Sequence, residues 1–198
     1  LFRFNLNCGK SNSFFILAKL FTKNILAGIY IHIPYCKQAC TYCNFHFRIS
    51  QKDKNKMLKC IKMELELRQS YLKNKTVKTI YFGGGTPSIL EKTEIKSILN
   101  KIYKTFKIYK NTEITLECNP DDLTKKKLMA LKEVGINRLS IGVQSFEEKD
   151  LKFMNRSHNA NQSESCIKMA QQVGFNNITI DLIYGLPNQS LKDWKKNL

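Results

Sequence analysis

The sequence has no run of 18 or more apolar residues, so nothing in it predicts a transmembrane helix. An apolar stretch near the start, residues 14–21, is short, is broken by Lys19 and is followed by no convincing cleavage site. We therefore assign no signal peptide and expect no membrane span.

Acidic residues are scarce, because 16 Asp and Glu stand against 33 Lys and Arg, which gives a net charge of +17. Such an excess is typical of proteins with anionic partners, such as nucleic acids, membrane surfaces or acidic small molecules. The lysines are scattered along predicted helices, and only residues 125–127 form a run. Since no RNA-binding motif accompanies them, this distribution favours a solvated lysine surface, and we do not expect nucleic acid as a partner.

The cysteines lack the even spacing of a secreted disulfide framework. Of seven cysteines, Cys36, Cys40 and Cys43 fall within eight residues, and the other four lie far apart. A tight group of this kind is typical of a thiolate-bound cofactor in a reducing compartment. We therefore expect a cytoplasmic location, and we expect the other four cysteines to be small buried hydrophobic residues.

From residue 29 onward, short β-type apolar runs alternate with longer amphipathic stretches. The predicted strands are residues 29–33, 77–82, 113–117, 138–142 and 178–183, and the predicted helices are residues 52–72, 93–106, 125–134 and 161–173, with a last helix capped by Ser190. Asn161 with Glu164 predicts the start of the fourth helix, and Gly135 and Gly174 predict helix ends. Five β–α units in succession predict an α/β fold with a parallel sheet that curls into an open sheet or part of a barrel.

The domain organisation predicted from this pattern is one domain over residues 27–198, preceded by an unassigned extension, residues 1–26. The chain begins without Met and ends inside a predicted helix, so we expect a fragment whose domain is incomplete at the C-terminus. In parallel α/β folds, ligands bind at the carboxyl ends of the strands. The residues with special chemistry stand at such ends: the cysteine group, residues 83–86, Glu117, Gln144 and Asp181.

The three clustered cysteines have the spacing C-x3-C-x2-C. Three thiolates on one loop can face one point, and soft thiolate ligands select iron–sulfur clusters or zinc. A [4Fe–4S] cluster held by three cysteines keeps one iron open for the amino and carboxylate groups of S-adenosylmethionine (SAM). Zinc would need a fourth ligand, for which His32 or His46 is available.

Five motifs in order carry a resemblance to a known family. The segment YIHIPYCKQACTYCNF, residues 30–45, resembles the cluster motif of radical-SAM proteins in the group of HemW heme chaperones and oxygen-independent coproporphyrinogen III oxidases. The other four motifs are FGGGTP at 82–87, LECNP at 116–120, RLSIGVQSF at 138–146 and DLIYGLP at 181–187. The resemblance implies a partial (βα) barrel of the radical-SAM type, truncated here after about five βα units.

The cofactors that the resemblance implies are a [4Fe–4S] cluster on Cys36, Cys40 and Cys43, and SAM beside it. It places Tyr30 next to both cofactors. The SAM contacts it implies are the amino group with Gly84, Gly85 and Thr86, the ammonium or ribose with Glu117, a ribose hydroxyl with Gln144, the carboxylate with Arg156 and the ribose hydroxyls with Asp181. We expect Asp181 to be more than a surface residue, because a carboxylate in an otherwise apolar strand needs partners.

Phe45 separates the two branches of this family. The oxidase branch typically has a further cysteine two residues after the third cluster cysteine, where this sequence has Phe45, as in the chaperone branch. The resemblance then implies binding of heme and its transfer to acceptor heme proteins, together with an electron donor. A porphyrinogen oxidase that converts propionates to vinyls is the alternative, and a tRNA-modifying enzyme is suggested only by the net charge. The heme-linked C-terminal region of the family is missing here, so no heme ligand is assigned; His46 and His158 are weak candidates.

Overall fold

The computed structural model describes residues 27–72 and 75–198. The predictions made for residues 1–26 lie outside this part of the chain. The five strands are β1 (Ala27–Ile33), β2 (Val77–Gly84), β3 (Ile108–Cys118), β4 (Arg138–Gln144) and β5 (Ile178–Leu182). The α-helices are α1 (Lys54–Leu67), α2 (Lys92–Thr105), α3 (Lys125–Glu133), α4 (Glu148–Phe153), α5 (Ala160–Gln172) and α6 (Leu191–Lys196).

The strands form one parallel sheet in the order β1-β2-β3-β4-β5. Each strand therefore lies beside the next one in sequence, joined by a connection that contains helix. This arrangement confirms the predicted α/β fold with a parallel sheet, the architecture of a partial barrel.

The two faces of the sheet differ sharply in chemistry. On one face, cross-strand neighbours such as Phe82 and Leu116 are fully buried and pack against helices, with Ile95, Ile98 and Leu99 contributed by α2. The other face is polar, because the register places Tyr30 beside Tyr81, Tyr81 beside Thr115, Thr115 beside Arg138, and Glu117 beside Ser140. A polar second face on a parallel sheet is what the lumen side of a barrel requires.

The helices and strands depart from the predicted bounds at several places. Helix α1 ends at Leu67, and the rest of its predicted length, Gln69–Leu72, is a separate 3₁₀ turn. Strand β3 begins at Ile108, five residues before its predicted start. Its early residues, 110–112, are polar and show no alternation of apolar and polar side chains, so the sequence carries no strand signal there. The six-residue helix α4 was not predicted, since it is too short to show a period.

The cap of α5 is a correction to the sequence prediction. Asn159, not Asn161, precedes the helix, and its side chain accepts from the backbone N of Gln162 at 2.9 Å. The Gln162 side chain in turn accepts from the backbone N of Asn159 at 3.0 Å, which completes a capping box. The predicted cap of α6 is confirmed, because Ser190 Oγ accepts from the backbone N of Asp193 at 3.1 Å.

The cysteines outside the tight group do not all behave alike. Cys118 and Cys166 are buried, and burial raises the pKa of both thiols, so the prediction holds for them. Cys60 is exposed on α1, and the prediction that it is buried is wrong. None of the helices within the described residues has the length and hydropathy needed to cross a membrane.

Candidate cofactor site

A cavity of about 180 Å³ opens at the carboxyl ends of the strands. Its wall contains all three clustered cysteines and every predicted SAM-binding residue except Tyr30. The predicted residues that line it are Cys36, Cys40, Cys43, Gly84, Gly85, Thr86, Glu117, Gln144, Arg156 and Asp181. Sequence analysis did not assign the other lining residues, which include Gln38, Tyr42, Phe47, Asn119, Ser140 and Gly142.

The segment from Cys36 to Cys43, here called the cysteine loop, follows β1 and covers one side of the cavity. Cys36 is fixed by its backbone N, which donates to Arg48 O at 3.0 Å, and by Thr86 Oγ1, which donates to its Sγ at 3.4 Å. Burial raises the pKa of the Cys36 thiol, and the neighbouring thiols act in the same direction, while the Thr86 hydrogen bond opposes them. An iron ion bound by Cys36 would reverse that balance, because a metal cation lowers the pKa of a coordinating thiol and stabilises the thiolate.

The glycines at the end of β2 allow the cysteine loop to lie against the strand. A Cβ at Gly85 would stand 2.8 Å from Tyr35 O and 3.0 Å from Cys36 Sγ. Gly84 adopts φ +117°, which side chains rarely tolerate, and its N donates to Glu117 Oε2 at 3.0 Å. The missing side chains at these two glycines thus leave room for the cysteine loop and for His32 beside the end of β2.

Glu117 stands at the centre of the polar face. One carboxylate oxygen accepts from Gly84 N, and the other accepts from Tyr81 OH at 2.8 Å. Tyr30 is one side chain farther away: its ring stacks on Tyr81 with centroids 5.8 Å apart, and its hydroxyl lies 3.4 Å from His32 Nδ1. Tyr30 thus does not line the cavity: it packs on Tyr81, which in turn binds Glu117 on the cavity wall.

Gln144 reaches the cavity through an irregularity in the pairing of β4 with β5. The register shifts between Ile141 and Gln144, and Gln144 adopts φ +67°. Its backbone O accepts from Ile183 N at 2.9 Å, which keeps β5 attached beyond the shift. The bulge turns the amide over Gly142, where a Cβ would come within 2.9 Å of Gln144 Nε2.

Arg156 connects the cysteine loop to the ends of β3 and β4. Its Nη1 donates to Cys40 Sγ at 3.3 Å and to Tyr42 OH at 3.1 Å, and its Nη2 donates to Asn119 Oδ1 at 2.9 Å and Gly142 O at 2.7 Å. Its Nε is buried and has no partner among the described residues. A SAM carboxylate would therefore have to displace one of the existing acceptors of the two NH2 groups.

Asp181 lines the cavity from β5, but its side chain is exposed. Partial desolvation raises the pKa of this carboxyl, and the positive charge of Arg138 opposes the shift. The expectation that Asp181 is buried is wrong, because β5 is the last described strand and no further strand covers that side of it.

Asn119 is the unassigned lining residue with the most direct link to the predicted site residues. It follows β3 directly, its Oδ1 accepts from Arg156 and its Nδ2 lies 3.5 Å from Thr86 Oγ1. Its position inside the LECNP motif, at a strand end, was the available signal.

The donor set distinguishes between the two metals considered from the sequence. Among residues 27–72 and 75–198, no three His, Cys, Asp or Glu side chains converge on a point where a single ion could bind. Zinc needs four ligands about 2.0–2.3 Å from one point, so this arrangement counts against it. The cysteines of a [4Fe–4S] cluster bind different iron atoms and therefore stand farther apart. Three free thiols on one loop, facing one cavity, fit that requirement.

Comparison with known proteins decides the family, because residues 30–198 match the model of the radical SAM superfamily. The chain belongs to the radical SAM superfamily. Membership implies a [4Fe–4S] cluster and SAM as cofactors, and it confirms the resemblance drawn from the five motifs.

Individual relatives place the chain within the superfamily. It is 40% identical over 168 residues to the heme chaperone HemW of Buchnera aphidicola subsp. Acyrthosiphon pisum, a match that covers 84% of this chain and 44% of that protein. It is 38% identical over 169 residues to the heme chaperone HemW of Bacillus subtilis, covering 84% of this chain and 45% of that protein. The chain thus spans less than half the length of the curated relatives it matches.

A solved structure supports the same placement. Coproporphyrinogen III oxidase (HemN) from Escherichia coli superposes with a TM-score of 0.81 at 27% identity, and the match covers 96% of this chain and 44% of that one. This similarity confirms the radical-SAM type of partial barrel.

Proposed function

We propose that this protein is HemW-like: it binds a [4Fe–4S] cluster and SAM in the described cavity and takes part in handling heme. The observation that carries the choice of branch is Phe45. This residue lines the cavity and is 73% exposed, at the position where the oxidase branch typically has a cysteine. The similarity to proteins named heme chaperone HemW, at 35–40% identity, supports the same branch.

In this proposal Cys36, Cys40 and Cys43 hold the cluster, which when bound supplies the electron for reductive cleavage of SAM. All three thiols are free and belong to residues that line the cavity. Thr86 keeps Cys36 oriented through its hydroxyl, and Arg156 does the same for Cys40. Both donors favour the thiolate form that a metal ligand requires.

The SAM contacts follow from the side chains that face the cavity. Glu117, already oriented by Tyr81 and Gly84, accepts from the SAM ammonium, and the backbone at Gly84 and Gly85 allows close approach. The Gln144 amide, from β4, donates to or accepts from one ribose hydroxyl, and the Asp181 carboxylate, from β5, accepts from the ribose hydroxyls. Arg156 would bind the SAM carboxylate through its guanidinium NH2 groups, in exchange for one of their present acceptors.

A porphyrinogen oxidase is the second candidate, favoured by the structural similarity to the Escherichia coli coproporphyrinogen III oxidase. The partners we propose are heme or a porphyrinogen, acceptor heme proteins and an electron donor, and the location we propose is the cytoplasm. An anaerobic sample reconstituted with iron, sulfide and SAM separates the two candidates. Saturable hemin binding without decarboxylation of coproporphyrinogen supports the chaperone, whereas turnover to vinyl products refutes it.

The ligand assignment is tested by Cys40→Ser, with Cys60→Ser as the matched control. Cys60 is exposed on α1, away from the cavity, so its loss should leave the iron and sulfide content of the reconstituted protein unchanged. Cys40→Ser should lose the cluster absorbance. A full iron and sulfide content in Cys40→Ser would contradict the assignment.

The ribose role is tested by Asp181→Ala. Because Asp181 is exposed, its removal creates no cavity in the core, and weaker SAM binding can be assigned to the lost carboxylate. Unchanged SAM affinity in equilibrium dialysis would remove Asp181 from the site.

A further inference from the structure

The cysteine loop has little regular structure of its own. It lies in the long connection between β1 and α1, and inside it one backbone hydrogen bond joins Cys43 N to Cys40 O at 3.2 Å. Its first cysteine is held by Arg48 O and by the Thr86 hydroxyl. The positions of residues 38–41 depend on contacts with a distant part of the chain.

That part is residues 153–156, at the C-terminal end of α4, here called the anchor segment. The backbone N of Thr41 donates to Met154 O at 3.1 Å, and the hydroxyl of Thr41 donates to Phe153 O at 3.3 Å. These two bonds join the loop to the end of a helix 112 residues or more further along the chain.

Asn155 makes the closest connections between the two segments. Gln38 Nε2 donates to Asn155 Oδ1 at 2.6 Å and to Asn155 O at 3.1 Å. Asn155 Nδ2 donates to Ala39 O at 2.7 Å. The amide of Asn155 therefore binds two neighbouring residues of the loop, as an acceptor toward the Gln38 side chain and as a donor toward the Ala39 carbonyl.

The anchor segment is itself firmly attached to the sheet. Leu151 and Met154 are 1% and 0% exposed, so α4 is packed into the structure through its apolar face. The buried carboxylate of Asp150 accepts from Ser145 Oγ at 2.9 Å and from Gln189 Nε2 at 3.0 Å. A loop bound to this segment is held by the folded core.

Asn155 has both a left-handed backbone conformation and side-chain hydrogen bonds to the cysteine loop. Its backbone has φ +52°, which Gly and Asn adopt most readily, and its side chain is exposed apart from its loop contacts. Gly at this position would keep the backbone conformation and lose both side-chain hydrogen bonds. A change to Gly at position 155 therefore removes the hydrogen bonds to the loop without straining the backbone.

We propose that Asn155 is a positioning residue that holds the cysteine loop in its cofactor-binding conformation before any cofactor is present. This inference rests on the proposed role of the three cysteines as cluster ligands. Ordering the loop in advance lowers the conformational entropy that cluster binding would otherwise lose.

The test compares Asn155→Gly with Asn188→Gly in the full chain. Like Asn155, Asn188 is exposed and has a positive φ, of +63°. It follows β5, far from the loop in sequence, and lines no part of the cavity. In cluster-free protein, hydrogen exchange of residues 36–43 should become roughly tenfold faster in Asn155→Gly, since two hydrogen bonds are lost, and should not change in Asn188→Gly. Reconstitution should then build the cluster several-fold more slowly in Asn155→Gly alone.

The exchange measurement keeps this inference separate from the ligand assignment. If the wild-type chain takes up no cluster, the ligand proposal fails, while loop exchange in the cluster-free protein still decides the role of Asn155. Equal loop exchange in Asn155→Gly and wild type, or an equal increase in Asn188→Gly, would overturn the inference. If Asn155→Gly also exchanges faster in the buried part of β3, it has unfolded globally, and Gln38→Ala replaces it, because that variant removes the loop-side donor and leaves residue 155 intact.

Discussion

Gly85, the residue that follows β2, lies directly against Tyr35 and Cys36 at the start of the cysteine loop. Unlike Gly84, it has no left-handed backbone conformation, so its lack of a side chain serves contact alone. The atoms that a Cβ would meet are backbone atoms of Tyr35, which cannot rotate away, and the sulfur of Cys36, whose rotation would break its hydrogen bond from Thr86 Oγ1.

Gly85→Ala should therefore move the cysteine loop. We expect a loss of about 1–3 kcal/mol in the free energy of unfolding, as for other overpacked sites, together with impaired cluster uptake. Gly185→Ala is the control, because Gly185 has φ +74° but nothing within 4 Å of its added Cβ. Urea denaturation should show a loss of stability in both variants, whereas iron content after reconstitution should fall only in Gly85→Ala; normal iron content there would show that the loop tolerates the contact.

His158 is a buried residue whose protonation opposes folding. Its Nε2 donates to Val143 O at 3.0 Å, and its Nδ1 is buried without a partner among the described residues. Burial, followed by the charge of Arg156, lowers the pKa of His158 to about 4. Sequence analysis named this residue only as a weak candidate for a heme ligand, because its burial depends on packing against β4, which the sequence does not show.

Stability should accordingly fall at acidic pH. An unfolded histidine has a pKa of about 6.5, so the unfolded chain binds the proton more readily than the folded one between pH 6.5 and pH 4. The stability that comes from keeping His158 neutral is complete above about pH 6.5 and is lost as the pH falls toward 4, by up to about 3 kcal/mol. In His158→Gln, which keeps an N–H donor, the urea midpoint should fall less between pH 7 and pH 4.5; a pH profile identical to that of the wild type would exclude His158 as its source.

At the scale of helices and strands, the start of α5 shows how local chemistry selects among similar residues. Asn159 and Asn161 are both asparagines near the helix start, but only Asn159 has a reciprocal partner three residues on in the structure. We expect Asn159→Ala to lower stability by about 1 kcal/mol and Asn161→Ala to change it by less than about half as much. Thermal unfolding of the two variants tests this directly, and equal losses would show that the capping box does not contribute.

The order of helices and strands was predictable because each strand and each long helix carries its own apolar period. Features that depend on distant segments were not. The predicted cap is Asn161 with Glu164, but the helix starts two residues earlier, at Asn159 with Gln162, and the residue pattern alone does not fix where it starts. The exposure of Cys60 depends on which side of α1 meets α2, which the sequence alone does not determine.

In the candidate site, too, some residues could be predicted from the sequence and others could not. Residues at strand ends, such as Glu117 and Gln144, could be predicted because a parallel sheet brings those ends to one edge. The hydrogen bonds of Arg156 could not be predicted, since two of its four acceptors lie in the cysteine loop, one in β4 and one at Asn119, directly after β3. Asn155 escaped notice for a related reason: its partners lie 116 and 117 residues away.

At the scale of the whole molecule, charge is distributed unevenly between the cavity and the outer surface. The cavity wall carries Arg156 together with Glu117 and Asp181, so the net charge of +17 does not come from the site. Many of the lysines lie on α1, α2 and α3, the helices that cover the apolar face of the sheet, and several of them pair with acidic residues there, as Lys54 does with Glu94. A lysine surface of this kind attracts polyanions without selecting among them.

This distribution predicts how the protein should respond to RNA and to salt. Labelled tRNA should bind weakly, without preference over other RNA of equal length, and its affinity should fall by an order of magnitude or more between 50 and 200 mM KCl, because surface binding of a polyanion is driven by counterion release. SAM binding to the reconstituted protein should change little over the same range, since its contacts lie inside the cavity, where salt screens less. Selective tRNA binding that persists at 200 mM KCl would require contacts beyond surface charge and would favour an RNA-modifying enzyme over a heme-handling protein. Fluorescence anisotropy with RNA and equilibrium dialysis with SAM, performed on one preparation, measure both responses.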